Sequence, residues 1–234
     1  MFMFRKNYVV MNKFVTCFTA MVFACLASHA QILHDLQGKP YMEQSYTEVD
    51  GDPFLINNWA DGNIDFVNGK TGAVRVKYDL VKDVLLFQHK GGDSTAMYFV
   101  DQVKGFALTN SFIHESNILP LVFNSGYPVI DVQTTASFYQ VIASGKMQLL
   151  RHYRKAIRTD QAFNSATVTK TFAFTDFYYL YANNKISRIK PSQKSILAAM
   201  ADKSTEIQAY LKSNTVDYKN DAALAKLFNY YNSL

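Results

Sequence analysis

The chain has 234 residues, of which 49% are hydrophobic, 15% aromatic and only 18% charged. That composition excludes a disordered chain, which is short of aromatics and rich in charge, and the length predicts one domain with a core of ordinary size. The formal charge of +5 does not point to nucleic acid: Arg5, Lys6 and Lys13 precede residue 31, and taking them from the 24 basic side chains leaves 21 against 19 acids, and a nucleic-acid binder shows a basic face as well as a basic total.

The first segment reads as an export signal. Residues 14–27 (FVTCFTAMVFACLA) form an apolar run behind Lys13, and Ser28-His29-Ala30 supplies the small residues that signal peptidase inspects. Cleavage after Ala30 leaves 204 of the 234 residues, starting at Gln31. The run is short for a membrane anchor, which takes about 20 apolar residues, and nothing later approaches that length, so no transmembrane segment is expected in the mature chain. Met11-Asn12-Lys13 offers an alternative start for a compact signal. Cys17 and Cys25 both lie in this segment. Phe23 occupies a position where a lipoprotein signal carries a small residue, so Cys25 is not read as an acylation site. A cysteine-free mature protein has no disulfide and no thiolate metal site. The expected location is the periplasm or the periphery of the outer membrane.

From Glu43 to Ile189 short apolar–polar alternations broken by turn residues predict strands. Asn63–Val67 leads into Asn68-Gly69, a hairpin signal because the tight two-residue turn needs positive φ at both positions. In Ala73–Tyr78, Val74 and Val76 share one side, Arg75 and Lys77 the other. Val84–His89, Ala96–Val100 and Val103–Leu108 continue the meander, the first two separated by Gly91-Gly92-Asp93. Leu121–Phe123 and Val129–Val132 flank a turn at residues 125–128. Ala136–Ala143 turns at Ser144-Gly145 into Met147–Tyr153. Ala166–Phe174 and Phe177–Tyr181 are expected as a further pair, followed by a turn at Asn183-Asn184 into Ile186–Ile189. The unbroken apolar run FYYLY (177–181) predicts burial on both faces or a covered edge.

Past Pro191 the period changes. Ser192 is a plausible N-cap, and Ile196, Met200, Ile207, Tyr210 and Leu211 recur at helical spacing, with Asn214 as a stop. A second helix is expected from Asp221, with Leu224, Leu227, Phe228 and Tyr231 on one face. The class is therefore α+β: an antiparallel β-meander forming a sheet or partly open barrel over 31–190, with a C-terminal helical pair over 191–234 packed on it in one structural domain. An outer-membrane barrel is disfavoured, because its strands run about 9–11 residues and this chain ends in a helix.

No catalytic spacing emerges. Gly69-Lys70-Thr71 imitates the end of a P-loop, but Ile64 stands where that loop needs glycine. His34, His89, His114 and His152 share no metal-ligand spacing, though distant carboxylates such as Asp35 or Glu115 could join them in a folded chain. No metal and no cofactor is expected. Asp50, Asp52, Asp61, Asp65, Asp79, Asp83, Asp93 and Asp101 mostly sit at turns, where aspartate is favoured for geometry alone. The densest charge cluster is Lys146, Arg151, Arg154, Lys155 and Arg158, with Tyr153 among them. These six residues are the candidate binding site, able to grip an anionic envelope polymer such as lipopolysaccharide phosphate or peptidoglycan carboxylate through arginine forks. The commoner explanation of such a run is a solvated strand face. If the strand continues through residue 155, Arg151, Tyr153 and Lys155 share one face and His152 and Arg154 the other, which splits the cluster. Phe172, Phe174, Phe177, Tyr178, Tyr179 and Tyr181 could line a groove, but such rings are more often sheet core beneath a helix.

The stretches FYYLYANNKISRIKPSQKSIL, KLFNYYNSL and FYQVIASGKMQLLRHYRK, with the NGK turn followed by VKYDLVKDVLLF, resemble a group of uncharacterised small exported proteins of Bacteroidota. The resemblance covers most of residues 50–234. It implies export, a β-rich body and a helical tail, and it brings no activity and no catalytic residues. The expectation is a non-catalytic binding or assembly protein whose partner is an envelope protein or an anionic envelope polymer. The alternatives are a carrier of an apolar ligand, or a glycan hydrolase using paired carboxylates and His114.

Overall fold

A computed structural model describes residues 36–41, 46–89, 95–108, 121–161 and 168–234. The expected export signal, His34, Asp35, His114, Glu115 and Gly91-Gly92-Asp93 lie outside the described residues. Among the described residues eleven strands build one sheet: β1 (Gly38–Pro40), β2 (Ala60–Phe66), β3 (Thr71–Asp79), β4 (Val84–Gln88), β5 (Ala96–Phe99), β6 (Val103–Leu108), β7 (Leu121–Asn124), β8 (Tyr139–Ala143), β9 (Gln148–Gln161), β10 (Val168–Ala182) and β11 (Lys185–Ile189). Their order is β1-β5-β4-β3-β2-β6-β7-β8-β9-β10-β11, and every neighbouring pair is antiparallel. The fold is α+β, with an open sheet and a helical C-terminal region.

Turn chemistry fixes several of these pairings. Between β2 and β3, Gly69 alone takes positive φ (+84°), and Phe66 N–H donates to Lys70 O at 2.9 Å. The connection is a three-residue loop with glycine at its left-handed position, not the two-residue turn that Asn-Gly suggests. The two-residue turn occurs instead at Asn183-Asn184, both left-handed (φ 50° and 57°), which fixes the β10–β11 register.

Three strand expectations are corrected. Residues 129–132 form no strand; Ile130 and Gln133 make one isolated bridge around Asp131, whose φ is +52°. The segments 166–174 and 177–181 are not a pair: from Val168 they run as the single 15-residue β10. β9 extends for 14 residues, to Gln161, and pairs with β10 along that length.

The sheet curls at its N-terminal end. Phe66 on β2 and Phe99 on β5 meet at 5.6 Å between ring centroids although β3 and β4 lie between those strands. The concave side is filled by aromatic rings: Phe106 stacks on Phe123 at 4.6 Å, and Tyr78 meets both edge-on. Segment 50–54 closes the side, with Asp50 bridging Thr171 of β10 and Phe54 bridging Asp79 of β3.

At the other end the sheet is covered by helices α1 (Gln193–Ala199), α2 (Ser204–Ser213) and α3 (Asp221–Ser233). Ser192 does cap α1, accepting from Ser195 N–H. The first predicted helix is broken, however: a 3-10 turn at Ala201–Lys203 separates α1 from α2. Met200 is fully enclosed at that break, so the chain changes direction while keeping its apolar side inward. Ile196, Ile207, Leu224, Leu227 and Phe228 pack on Ile142, Leu149, Tyr178 and Leu180. Tyr179, between the last two, is fully buried on the opposite face, so FYYLY is buried on both sides.

Candidate functional site

β9 runs past residue 155, so its side chains alternate as the pattern requires. The cluster is split between two faces, and its six members have different surroundings.

Arg151 faces α3. Its Nη1 donates to Asp221 Oδ2 at 2.5 Å and its Nε to Asp176 Oδ2 at 2.6 Å. The guanidinium lies against the rings of Tyr153 and Tyr178, 4.9 and 5.1 Å from their centroids. Tyr178 OH donates to Asp221 Oδ1 at 2.7 Å. Asp221 is the first residue of α3, with its side chain 2% exposed, and its charge also faces the positive end of that helix. Burial, reinforced by the bond to Asp221, pushes the Tyr178 hydroxyl pKa well above its ordinary value. This is a bolt between sheet and helix, and it occupies Arg151 completely.

Tyr153 is buried, and its hydroxyl donates to Gln140 Oε1. Lys155 is committed as well: Nζ donates to the carbonyls of Asp52 and Phe54, both at 2.8 Å, and pairs with Asp52 Oδ1 at 3.3 Å. Arg158 sits on the exposed part of the ribbon, paired with Asp160 at 2.8 Å. Lys146 lies over the Tyr231 ring, 4.7 Å from its centroid. Among the described residues, only Arg154 of the six has no ion pair, hydrogen bond or ring contact.

Arg154 is exposed and lines a cleft of about 400 Å³. The rest of its lining comes from the β3–β4 turn, with Val81, Lys82 and Asp83, and from the loop before β8, with Val132, Gln133 and Ser137. His152, 3% exposed, forms part of the floor. Its Nδ1 lies 3.0 Å from the carbonyl of Phe138; since a carbonyl only accepts, Nδ1 carries the hydrogen.

The β3–β4 turn is held from within. The Asp79 carboxylate is fully buried and receives the N–H groups of Val81 and Lys82 at 2.8 and 3.0 Å, and the hydroxyls of Tyr41 and Tyr46 at 2.8 and 3.1 Å. Burial first, and these bonds second, raise the Tyr41 hydroxyl pKa. Asp83 follows in the left-handed conformation (φ 55°), which aspartate tolerates better than most residues. Its Oδ1 accepts from Tyr78 OH at 2.5 Å, and Asp83 lines the cleft. Behind the cleft, Tyr127, Tyr139 and Tyr179 meet edge-on; burial pushes the Tyr127 hydroxyl up to about 12.

Two acids of the turn thus have different roles. Asp79 is sealed by four donors, and only Asp83 reaches the cleft. His89 is exposed and is not among its lining residues. Phe172, Phe174 and Phe177 lie on the ribbon, not in a groove: Phe172 packs on Tyr46, Phe177 lies under Arg188, and Phe174 is 50% exposed. Among the described residues no group of three or more His, Cys, Asp and Glu is placed to hold a metal ion, and no helix is long and apolar enough to cross a membrane.

Arg154 was within reach of sequence reasoning as part of a charge run. Lys82, Gln133 and Ser137 carried no signal, and Asp83 read as one turn acid among several. The cleft is assembled from segments about 20 to 70 residues apart, a distance no local pattern spans. No family model matches this chain, and neither the curated proteins nor the solved structures yield a similar one.

Proposed function

We propose that the chain is an exported envelope protein of the β-rich Bacteroidota type that acts by binding, with an anionic group held at Arg154. The observation that carries this reading is the contrast within one strand. Arg151 and Lys155 are consumed by internal partners, while Arg154, with no such partner among the described residues, lines a cleft. A guanidinium fork suits a carboxylate or phosphate, to which it can give two parallel N–H bonds. The concave core of the sheet, where a carrier would hold an apolar ligand, is filled by Phe106, Phe123 and Tyr78.

Heteronuclear NMR titration of the purified protein with acetate and with inorganic phosphate tests the binding. Shifts should centre on Val132, Gln133, Ala136 and His152, and Arg154→Gln should abolish them. Shifts that persist unchanged in Arg154→Gln would place anion binding elsewhere. Export is checked separately by sequencing the N-terminus of the protein from envelope fractions, where Gln31 should come first. A chain retained in the cytoplasm with its N-terminal segment intact would overturn that part.

A further inference from the structure

The cleft beside Arg154 carries charges of both signs, and this narrows its ligand. Arg154 stands on the β9 wall and Asp83 on the turn wall, yet among the described residues the two form no ion pair with each other. Asp83 Oδ1 serves Tyr78 OH and, at 3.5 Å, the Phe138 N–H. The other titratable groups on the lining are Lys82 and His152. Lys82 directs its ammonium to the rings of Tyr41 and Tyr46, at 4.6 and 5.3 Å from their centroids, and to the Tyr98 hydroxyl at 3.5 Å. His152 is tied through Nδ1 to the Phe138 carbonyl. Among the described residues the cleft therefore has one cationic fork without a partner, one carboxylate and one imidazole, set among the apolar side chains of Val81, Val84 and Val132.

A phosphate dianion or a polyanion would meet repulsion from Asp83. A simple cation would meet it from Arg154. A molecule carrying a carboxylate and an ammonium a few ångströms apart is complementary to both walls, and an aliphatic side chain would cover the three valines. We infer that the cleft binds the zwitterionic form of an aliphatic amino acid or very short peptide, carboxylate on Arg154 and ammonium on Asp83. This rests on the anion-binding reading above and sharpens it.

Three probes of one carbon skeleton separate the possibilities: leucine, isocaproate (leucine without its ammonium) and isoamylamine (leucine without its carboxylate). They are titrated by NMR into the purified protein and into Arg154→Gln and Asp83→Asn. Asparagine keeps the left-handed turn and can still accept from Tyr78, and Arg154 is exposed, so both variants should melt as the parent does. Leucine should bind at least about tenfold more tightly than either analogue. Each substitution should weaken leucine about tenfold, whereas Asp83→Asn should leave isocaproate unweakened. If isocaproate binds as well as leucine and Asp83→Asn strengthens both, the zwitterion inference falls and the anion site stands. If isoamylamine binds best and Arg154→Gln has no effect, or if no probe, acetate and phosphate included, shifts the cleft signals, both readings fall.

Discussion

The two faces of β9 show what a protein does with a charge it must place near its core. On the helix side, Arg151 is wedged between Asp176, Asp221 and two tyrosine rings, and every polar atom it presents has a partner. On the other side, three residues along the same strand, Arg154 lines the cleft together with Asp83, and among the described residues the two form no ion pair. Burying a charge is tolerable only with matched partners, so the first arrangement locks two elements together. A charge left at a cleft wall retains its hydration and remains free to exchange it for a ligand. One basic run thus holds a structural bolt and the proposed binding group, and the strand's two-residue period separates them.

The largest expected effect is on the bolted side. Arg151→Ala leaves the Asp221 and Asp176 carboxylates without their counter-ion, one of them buried, and should cost about 3–5 kcal/mol by chemical denaturation. A loss below about 1 kcal/mol would mean that water reaches the site and the bolt is not structural. Next comes Asn232 on α3, whose side chain accepts from Met147 N–H at 3.0 Å and donates to the carbonyls of Ser144 and Met147, both at 2.9 Å. Asn232→Ala should cost about 2 kcal/mol and loosen the β8–β9 turn, visible as faster amide exchange there. Gly145 in that turn is irreplaceable by the same contact: its φ is +138°, and a Cβ would come within 2.5 Å of the Asn232 amide.

Behind the cleft the sign reverses. Tyr139 OH is buried and has no hydrogen-bond partner among the described residues. Tyr139→Phe should therefore raise stability, by about 1 kcal/mol, in thermal melts; a lowered melting temperature would reveal a partner for that hydroxyl. The smallest effect belongs to Arg158, whose pair with Asp160 is exposed. Arg158→Ala should stay within about 0.5 kcal/mol and leave the acetate titration unchanged.

Much of the architecture was legible because it is local. Alternation located β6 at its observed bounds, Ser192 and the Leu224-Leu227-Phe228-Tyr231 face located two helices, and the lost alternation in FYYLY announced burial on both sides. The failures have physical reasons. Thr175-Asp176 reads as a turn, yet Asp176 stays in strand because Arg151 on the neighbouring strand receives its charge. The break at Met200 has no local marker, since both sides of it continue the same apolar period. The cleft was legible only through Arg154, because Asp83 and the loop before β8 reach it by tertiary folding.

The strand order carries one more consequence, for how the chain finds its structure. Eight of the ten neighbouring pairs join strands consecutive in the sequence; the exceptions are β1–β5 and β2–β6. Consecutive antiparallel strands zip from their turns with little loop-closure entropy, whereas a seam between distant strands must wait for what lies between them. The long β9–β10 ribbon is therefore expected to nucleate, and the Ile64–Phe106 seam, where β2 meets β6, to form late. Substitutions in the ribbon core, such as Leu149→Ala, should slow refolding, while Ile64→Val should chiefly quicken unfolding. Stopped-flow measurements giving equal effects on both limbs would describe a chain that folds with the two halves of its sheet advancing together.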